Sequence, residues 1–329
     1  MKSCAVVLVR NSFEYIPAFL AHHSRLVDRI FLIDHNSSCD LRPMKGDRVE
    51  AKRLDAEYFG QAEFINWSID YFNLKCNYDL IFTIDIDEFL PFTGGDDIKE
   101  FFNNYTSSEI VELYWRNGCV EESGYLNENS EISFCRKRSS TRKLVYNSAR
   151  TKRFQVMMGN HNAKHPLFDL GPVQLRPRPH DSGLGLLHIP FLGMEGLRLK
   201  VADFPKNDFA DKIRHSVNLI GIEPSSDWLE GEISRRDYLR LVANYRTNQI
   251  NRILDVDESD FERVKLFADL GTHIAEWRSR LNACPAAEVR SANPAETARL
   301  SQLKAGQSGY LRQLRKTLRT DPEGGVRLS

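Results

Sequence analysis

Along residues 1–90 the apolar positions alternate between two rhythms. Val6 to Val9 is a short β-branched run that stops at Arg10 and reads as a buried strand. RNSFEYIPAFLAHHSRL then carries Tyr15, Phe19, Leu20 and His23 at helical spacing, so a helix is expected to open just after Arg10-Asn11. RIFLI, Arg29 to Ile33, is a second strand-like run ending at Asp34. DHNSSCD follows as a loop, because Asp, Asn and Ser side chains bond their own backbone in turns. VEAKRL reads as a third strand, FGQAEFINWSIDYFNLKC as one amphipathic helix, and DLIFTID as a fourth strand. This alternation predicts an α/β fold, a mostly parallel sheet flanked by helices.

Beyond Gly94-Gly95 the rhythm changes. IKEFFNNY predicts a short helix, and EIVELYW, EISFCRK and LVYN predict strands of a mixed continuation. Residues 151–200, rich in His, Pro and Gly, are expected to be loops around one strand, GLGLLHIPF. DFADKIRHSVNLIG, RRDYLRLVANYRTNQINRIL and ERVKLFADLGTHIAEWRSRL all carry helical spacing. The expected organisation is an α/β unit over 1–204, with halves 1–95 and 96–204, and a helical C-terminal extension over 205–329.

Composition narrows the partners. Lys plus Arg and Asp plus Glu both number 45, so no global basic field exists for nucleic acid, which is excluded as a partner. The local exception is the tail, where six basic residues after Ser301 face only Asp321 and Glu323. That helix could pack on its own domain or lie peripherally on an anionic membrane surface. The six cysteines, 4, 39, 76, 119, 135 and 284, form no CxxC spacing, as expected of reduced thiols in a cytoplasmic protein. The first apolar run is too short for a secretory or spanning segment.

The chemistry concentrates at strand ends. In DLIFTIDIDEFL a buried run climbs to Asp85, Asp87 and Glu88. On an extended strand Asp85 and Asp87 would point the same way, and paired carboxylates repel unless a cation sits between them. Hard oxygen ligands suit Mg2+ or Mn2+ bridging phosphates. A bare DxD also occurs as a solvated turn; the buried run before it favours a site. Asp34 ends the neighbouring strand, where it could accept from a base or ribose or close an Asx-turn. Arg10 and Asn11 end the first strand, and ligands of open α/β sheets bind at that edge. Gln61 and Asn66, in the first turns of the helix before the acidic strand, could meet phosphate or sugar hydroxyls, or serve as ordinary caps.

Three blocks together resemble the nucleotide-sugar-binding half of GT-A glycosyltransferases, family 2-like and family 92-like. They are Glu14, Tyr15, Ile16, Phe19, Leu20, His22 and His23; then Asp34, His35, Asn36, Ser37 and Ser38; then Asp85, Asp87, Glu88 and Phe89. Looser matches are Trp115 with Gly118, His161 in GNHN, His188 in LLHIPF and Lys200. The sequence departs from the family in Cys39 before Asp40, in Asn117-Gly118 where the family has phenylalanine-glycine, and in Ile189 after His188.

The resemblance implies a GT-A-like catalytic domain over 1–204 and an inverting hexosyltransferase using a nucleotide-sugar donor and a glycan or lipid-linked acceptor. It implies a divalent metal, Mn2+ or Mg2+, held by Asp87, with Asp85 nearer the ribose and metal-bound water and His188 as a third ligand or a diphosphate contact. Arg10, Asn11, Asp34 and Lys200 would line the donor, joined by Gln61 and Asn66 if the helix start meets it. The base would come from Glu121, Glu122, His161 or Asp181. IFTIDID also resembles a haloacid-dehalogenase-type phosphohydrolase, with Phe89 where that family has Thr or Val. A non-catalytic nucleotide or carbohydrate binder on the same fold is the third reading.

Overall fold

The computed structural model describes residues 1–55, 60–92, 94–120, 124–151, 154–161, 163–164, 180–193, 196, 234–245 and 253–287. The first half runs β1 (Ser3–Val9), α1 (Ile16–His23), β2 (Arg29–His35), β3 (Val49–Leu54), α2 (Gln61–Tyr71), α3 (Leu74–Asn77) and β4 (Leu80–Thr83). Strands β4, β1, β2 and β3 lie side by side and parallel. Alternate residues of β1 feed two cores: Ala5, Val7 and Val9 pack with α1, and Cys4 and Val6 pack with Phe64 and Ile65 of α2.

The second half is antiparallel in part. After β5 (Glu88–Phe89) and α4 (Gly95–Asn103) come β6 (Ile110–Val120), β7 (Ile132–Cys135) and β8 (Arg142–Asn147). A small hairpin follows, β9 (Gln155–Val156) with β10 (Ala163–Lys164), then β11 (His180–His188) and α5 (Arg235–Ala243). The described chain closes with β12 (Phe261–Val264) and α6 (Gly271–Asn282). The main sheet runs β12-β7-β6-β8-β4-β1-β2-β3, with β11 pairing β5 and β6. The α/β class expected from the sequence, with parallel core strands and flanking helices, is the class observed.

Four local expectations need correction. Helix α1 opens at Ile16, not after Asn11, because Asn11 sits at φ 51° and a Ser12–Tyr15 turn precedes the helix. Pro17 lies in its first turn, where a missing N–H costs nothing. The helix read across FGQAEFINWSIDYFNLKC breaks at Asn73, φ 51°, between α2 and α3. Glu262 to Val264, read as the start of a helix, belong to strand β12, which covers the edge of β7 in an antiparallel pair. Finally, β4 ends at Thr83, so Asp85 and Asp87 do not share a face of an extended strand. The helical stretch in DFADKIRHSVNLIG and the basic tail lie outside the described residues.

Candidate active site

The acidic segment is a closed turn. Glu88 N–H donates to Asp85 C=O at 3.1 Å, and the Glu88 carboxylate accepts from Asp85 N–H at 2.8 Å. The turn sends its acids to different partners. Asp85 Oδ1 accepts from Gln61 Nε2 at 2.7 Å, and Asp85 Oδ2 from Lys143 Nζ at 2.6 Å. Lys143 arrives because β8 runs antiparallel to β4 with Phe82 opposite Val145, so two residues before Val145 on β8 the chain faces the turn beyond β4. Its side chain is fully buried, donates also to Gly159 C=O at 2.9 Å, and stands 3.5 Å from Glu88 Oε1. Trp115 Nε1 donates to that same Oε1 at 2.7 Å. Burial, with Asp85 and Asp87 nearby, pushes the Glu88 carboxyl up to about 8 against the pull of Lys143.

Asp87 faces the other way, toward β11. Its C=O accepts from Ile189 N–H at 2.8 Å, and His188 stands opposite Glu88 in the β5–β11 pair. His188 Nε2 lies 3.6 Å from Asp87 Oδ2. The ring is fixed from behind: His188 Nδ1 is 2.8 Å from Asn117 Oδ1, while Asn117 Nδ2 donates to Ala243 C=O at 3.1 Å. With Asn117 oriented by Ala243, Nδ1 is the donor of that bond, which leaves Nε2 on the side of Asp87. Trp115 stacks on the imidazole with ring centroids 3.9 Å apart. An imidazole nitrogen and a carboxylate oxygen 3.6 Å apart can share a proton or a cation. A ligating histidine characteristically donates its other N–H to an oxygen behind it.

Asp87 and His188 are two side chains here that could hold a divalent ion. Asp85 fits less directly, since both its oxygens already accept hydrogen bonds. Among the described residues no three His, Cys, Asp or Glu side chains are grouped to hold a metal ion.

A second polar cluster lies at the ends of β1, β2 and β3. Asp34 Oδ1 accepts from Ser37 N–H at 3.0 Å and Oδ2 from Arg53 Nη1 at 2.8 Å. Burial raises the Asp34 carboxyl against those bonds. Arg53 also donates from Nε to Asp55 at 2.6 Å. Asn11 Oδ1 accepts from Ser38 N–H at 2.7 Å, tying the first loop to the second, and Arg10 stands exposed beside it. Gln61 reaches the acid turn, whereas Asn66 is engaged by backbone: its Nδ2 donates to Ala62 and Val156, and its Oδ1 accepts from Val156 N–H.

His161 approaches from a second side. Its Nδ1 is 2.5 Å from Arg142 C=O, and its ring stands edge-on to Trp115 at 5.4 Å. Gly159, at φ +77°, allows this, since a Cβ there would lie 2.5 Å from the imidazole. Asp181 opens β11 beside Glu112, at the opposite end of that strand from His188. Glu121, Glu122 and Lys200 lie outside the described residues.

The family-like His22-His23 pair has a structural role. His22 Nε2 bonds Leu90 C=O at 2.8 Å, and Leu90 N–H donates to His23 Nε2 at 3.4 Å, so α1 grips the chain just after the acid turn. Lys143, Arg53 and the bonding role of Asn117 escaped sequence reasoning. The signal for Lys143 was a charge flanking the apolar run LVYN, since a buried ammonium requires a counterion.

No family model matches the chain, and no curated protein matches it. Among solved structures it is similar to residues 1–349 of TarS from S. aureus, at 12% identity over 95% of this chain and 92% of that one, with a TM-score of 0.35. It is also similar to 4-diphosphocytidyl-2C-methyl-D-erythritol synthase, at 12% identity over 45% of this chain and 75% of that one, with a TM-score of 0.28. No described helix is long and apolar enough to cross a membrane.

Proposed function

We propose that the chain is a glycosyltransferase that takes a hexosyl group from a nucleotide-sugar donor to a hydroxyl of a glycan or lipid-linked acceptor, with inversion at the anomeric carbon. The observation that carries this reading is the Asp87–His188 pair, 3.6 Å apart, beside the Asp85–Lys143 pair at the same sheet edge as Asp34 and Arg53. Ligands of open α/β sheets bind at such an edge. The three-block resemblance in the sequence agrees with it.

In this reading Arg10, Asn11 and the Asp34–Arg53 pair border the nucleoside, and Asp85, held by Gln61 and Lys143, meets the ribose. Asp87 and His188 would hold Mn2+ or Mg2+, which when bound supplies positive charge against the departing diphosphate. Inversion requires a base on the acceptor hydroxyl, opposite the leaving group. His161 is the candidate whose ring is fixed, its Nδ1 donating to Arg142 C=O and leaving Nε2 as the proton acceptor. Glu121, Glu122 and Asp181 remain proposed alternatives, as do Lys200 for the diphosphate and the basic tail for a lipid surface. A phosphohydrolase would need Asp85 as nucleophile. The hydrogen bonds from Gln61 and Lys143 to its two oxygens argue against that.

The test is a thermal-shift panel of UDP-, GDP-, CMP- and dTDP-sugars with and without Mn2+, followed by turnover with the stabilising donor. One nucleotide should stabilise the protein, and Asp87→Ala should erase the metal-dependent part. No shift across the panel overturns the reading. A shift without any sugar release or transfer makes the chain a binder.

A further inference from the structure

The acid turn carries three carboxylates, yet one cation already stands among them. Lys143 Nζ has Asp85 Oδ2 at 2.6 Å, Gly159 C=O at 2.9 Å and Glu88 Oε1 at 3.5 Å. These three oxygens come from the turn, its neighbouring strand and the loop after β9, and the lysine side chain within them is fully sealed from water. Two carboxylates and a carbonyl are the donor set a hard metal ion takes. The chain fills that cage with its own ammonium.

We propose that Lys143 is the resident cation of the Asp85–Glu88 side of the turn, and that by occupying it the lysine confines a divalent ion to Asp87 and His188. Asp85, which the proposed function sets against the ribose, is then held by Lys143 and Gln61 and is not itself a metal ligand. The aspartate pair of the motif is thus divided between two cations, one covalently part of the chain and one exchangeable. This rests on the metal-binding part of the reading above and not on glycosyl transfer. Three observations support the division. Both oxygens of Asp85 accept hydrogen bonds, those bonds come from residues on two different elements, and His188 Nε2 stands 3.6 Å from a carboxylate oxygen of Asp87.

The experiment measures ion binding by the full chain, independent of turnover. Mn2+ affinity is read by calorimetry, and Tb3+ entry into the cage by emission sensitised through Trp115, whose indole donates to Glu88 at 2.7 Å. Asp87→Asn should weaken Mn2+ binding about tenfold or more, whereas Asp85→Asn should leave it within about threefold of the parent chain. Lys143→Met, and Lys143→Gln in case the first variant does not fold, should gain about tenfold in Mn2+ affinity or acquire a Tb3+ signal that the parent lacks. An Asp85→Asn loss as large as that of Asp87→Asn overturns the proposal. So does a folded Lys143 variant with no gain of ion binding. Absence of Mn2+ binding by the parent chain counts against the metal in the proposed function; a Lys143 variant that then acquires it still supports the lysine's role.

Discussion

His188 and Asn117 are paired across β11 and β6: Nδ1 of the imidazole meets Oδ1 of the amide at 2.8 Å, in a register that sets the two residues side by side. Asparagine at 117 is one of the chain's departures from the family-like pattern, and this bond is what it provides. Asn117→Leu should leave the buried Nδ1–H unpaired and cost about 1–3 kcal/mol in denaturant melts. It should also weaken Mn2+ binding about tenfold, since the ring loses its orientation. Asn117→Asp, which keeps an acceptor, should retain most of the Mn2+ affinity.

Acid should unfold the protein through His22 and His23. Burial lowers His22 from 6.5 to about 4 and lowers His23 as well, with His22 beside it adding to the effect. Both rings are neutral in the folded chain and take up protons readily once unfolded. Their contribution to stability is therefore full above pH 6.5 and is lost as the pH falls from there toward about 4. His22→Gln, whose amide can still donate to Leu90 C=O, should flatten that slope in melts followed across pH.

Glu88 should tilt stability the opposite way. Its folded carboxyl titrates near 8 against an ordinary 4.5, so the folded state holds this proton more firmly than the unfolded chain does. The contribution is full below 4.5 and is lost as the pH rises through 8. With the histidines, this predicts a stability maximum on the acid side of neutral. Above 6.5 the histidines add no further slope, so the fall from there to about 8 belongs to Glu88 and should disappear in Glu88→Gln. A parent chain whose midpoint rises steadily from 6.5 to 8 would contradict the assignment.

Gly118 is required by a neighbour. A Cβ at this position would lie 2.3 Å from the Phe134 ring, which belongs to β7 directly across the pair. Gly118→Ala should cost about 1–3 kcal/mol by overpacking, and Phe134→Leu in the same chain should return part of it. Equilibrium denaturation of the single and double variants measures both.

Arg53 and Asp34 form a nearly sealed ion pair, with side chains 11% and 1% exposed. Arg53→Met should destabilise the chain by about 3 kcal/mol, because it strands a buried carboxylate. Adding Asp34→Asn should recover much of that loss, and the double-mutant cycle gives the coupling. Nucleotide-dependent thermal shifts should fall in both variants under the proposed function.

Short-range pattern sufficed for the parallel core. The run VEAKRL is β3 end to end, RIFLI lies within β2, and Phe64, Ile65 and Trp67 are buried on α2, although Glu63, Asn66 and Ser68 between and beside them are buried too. These elements are legible because a strand or helix must repeat its apolar positions at its own period to bury one side. The acids of IDIDE are legible for a related reason: polar groups following a buried run mark where it emerges. The direction in which each acid points was decided elsewhere. Asp85 takes its cation from a residue 58 positions away, and His188 takes its tautomer from one 71 positions away. Strand β12 exists because β7 offers it an edge, although Glu262 to Val264 within it read as helix. Backbone periodicity is a local property of the chain. The pairing of a buried charge with its partner depends on strand order and register, which only the folded sheet sets.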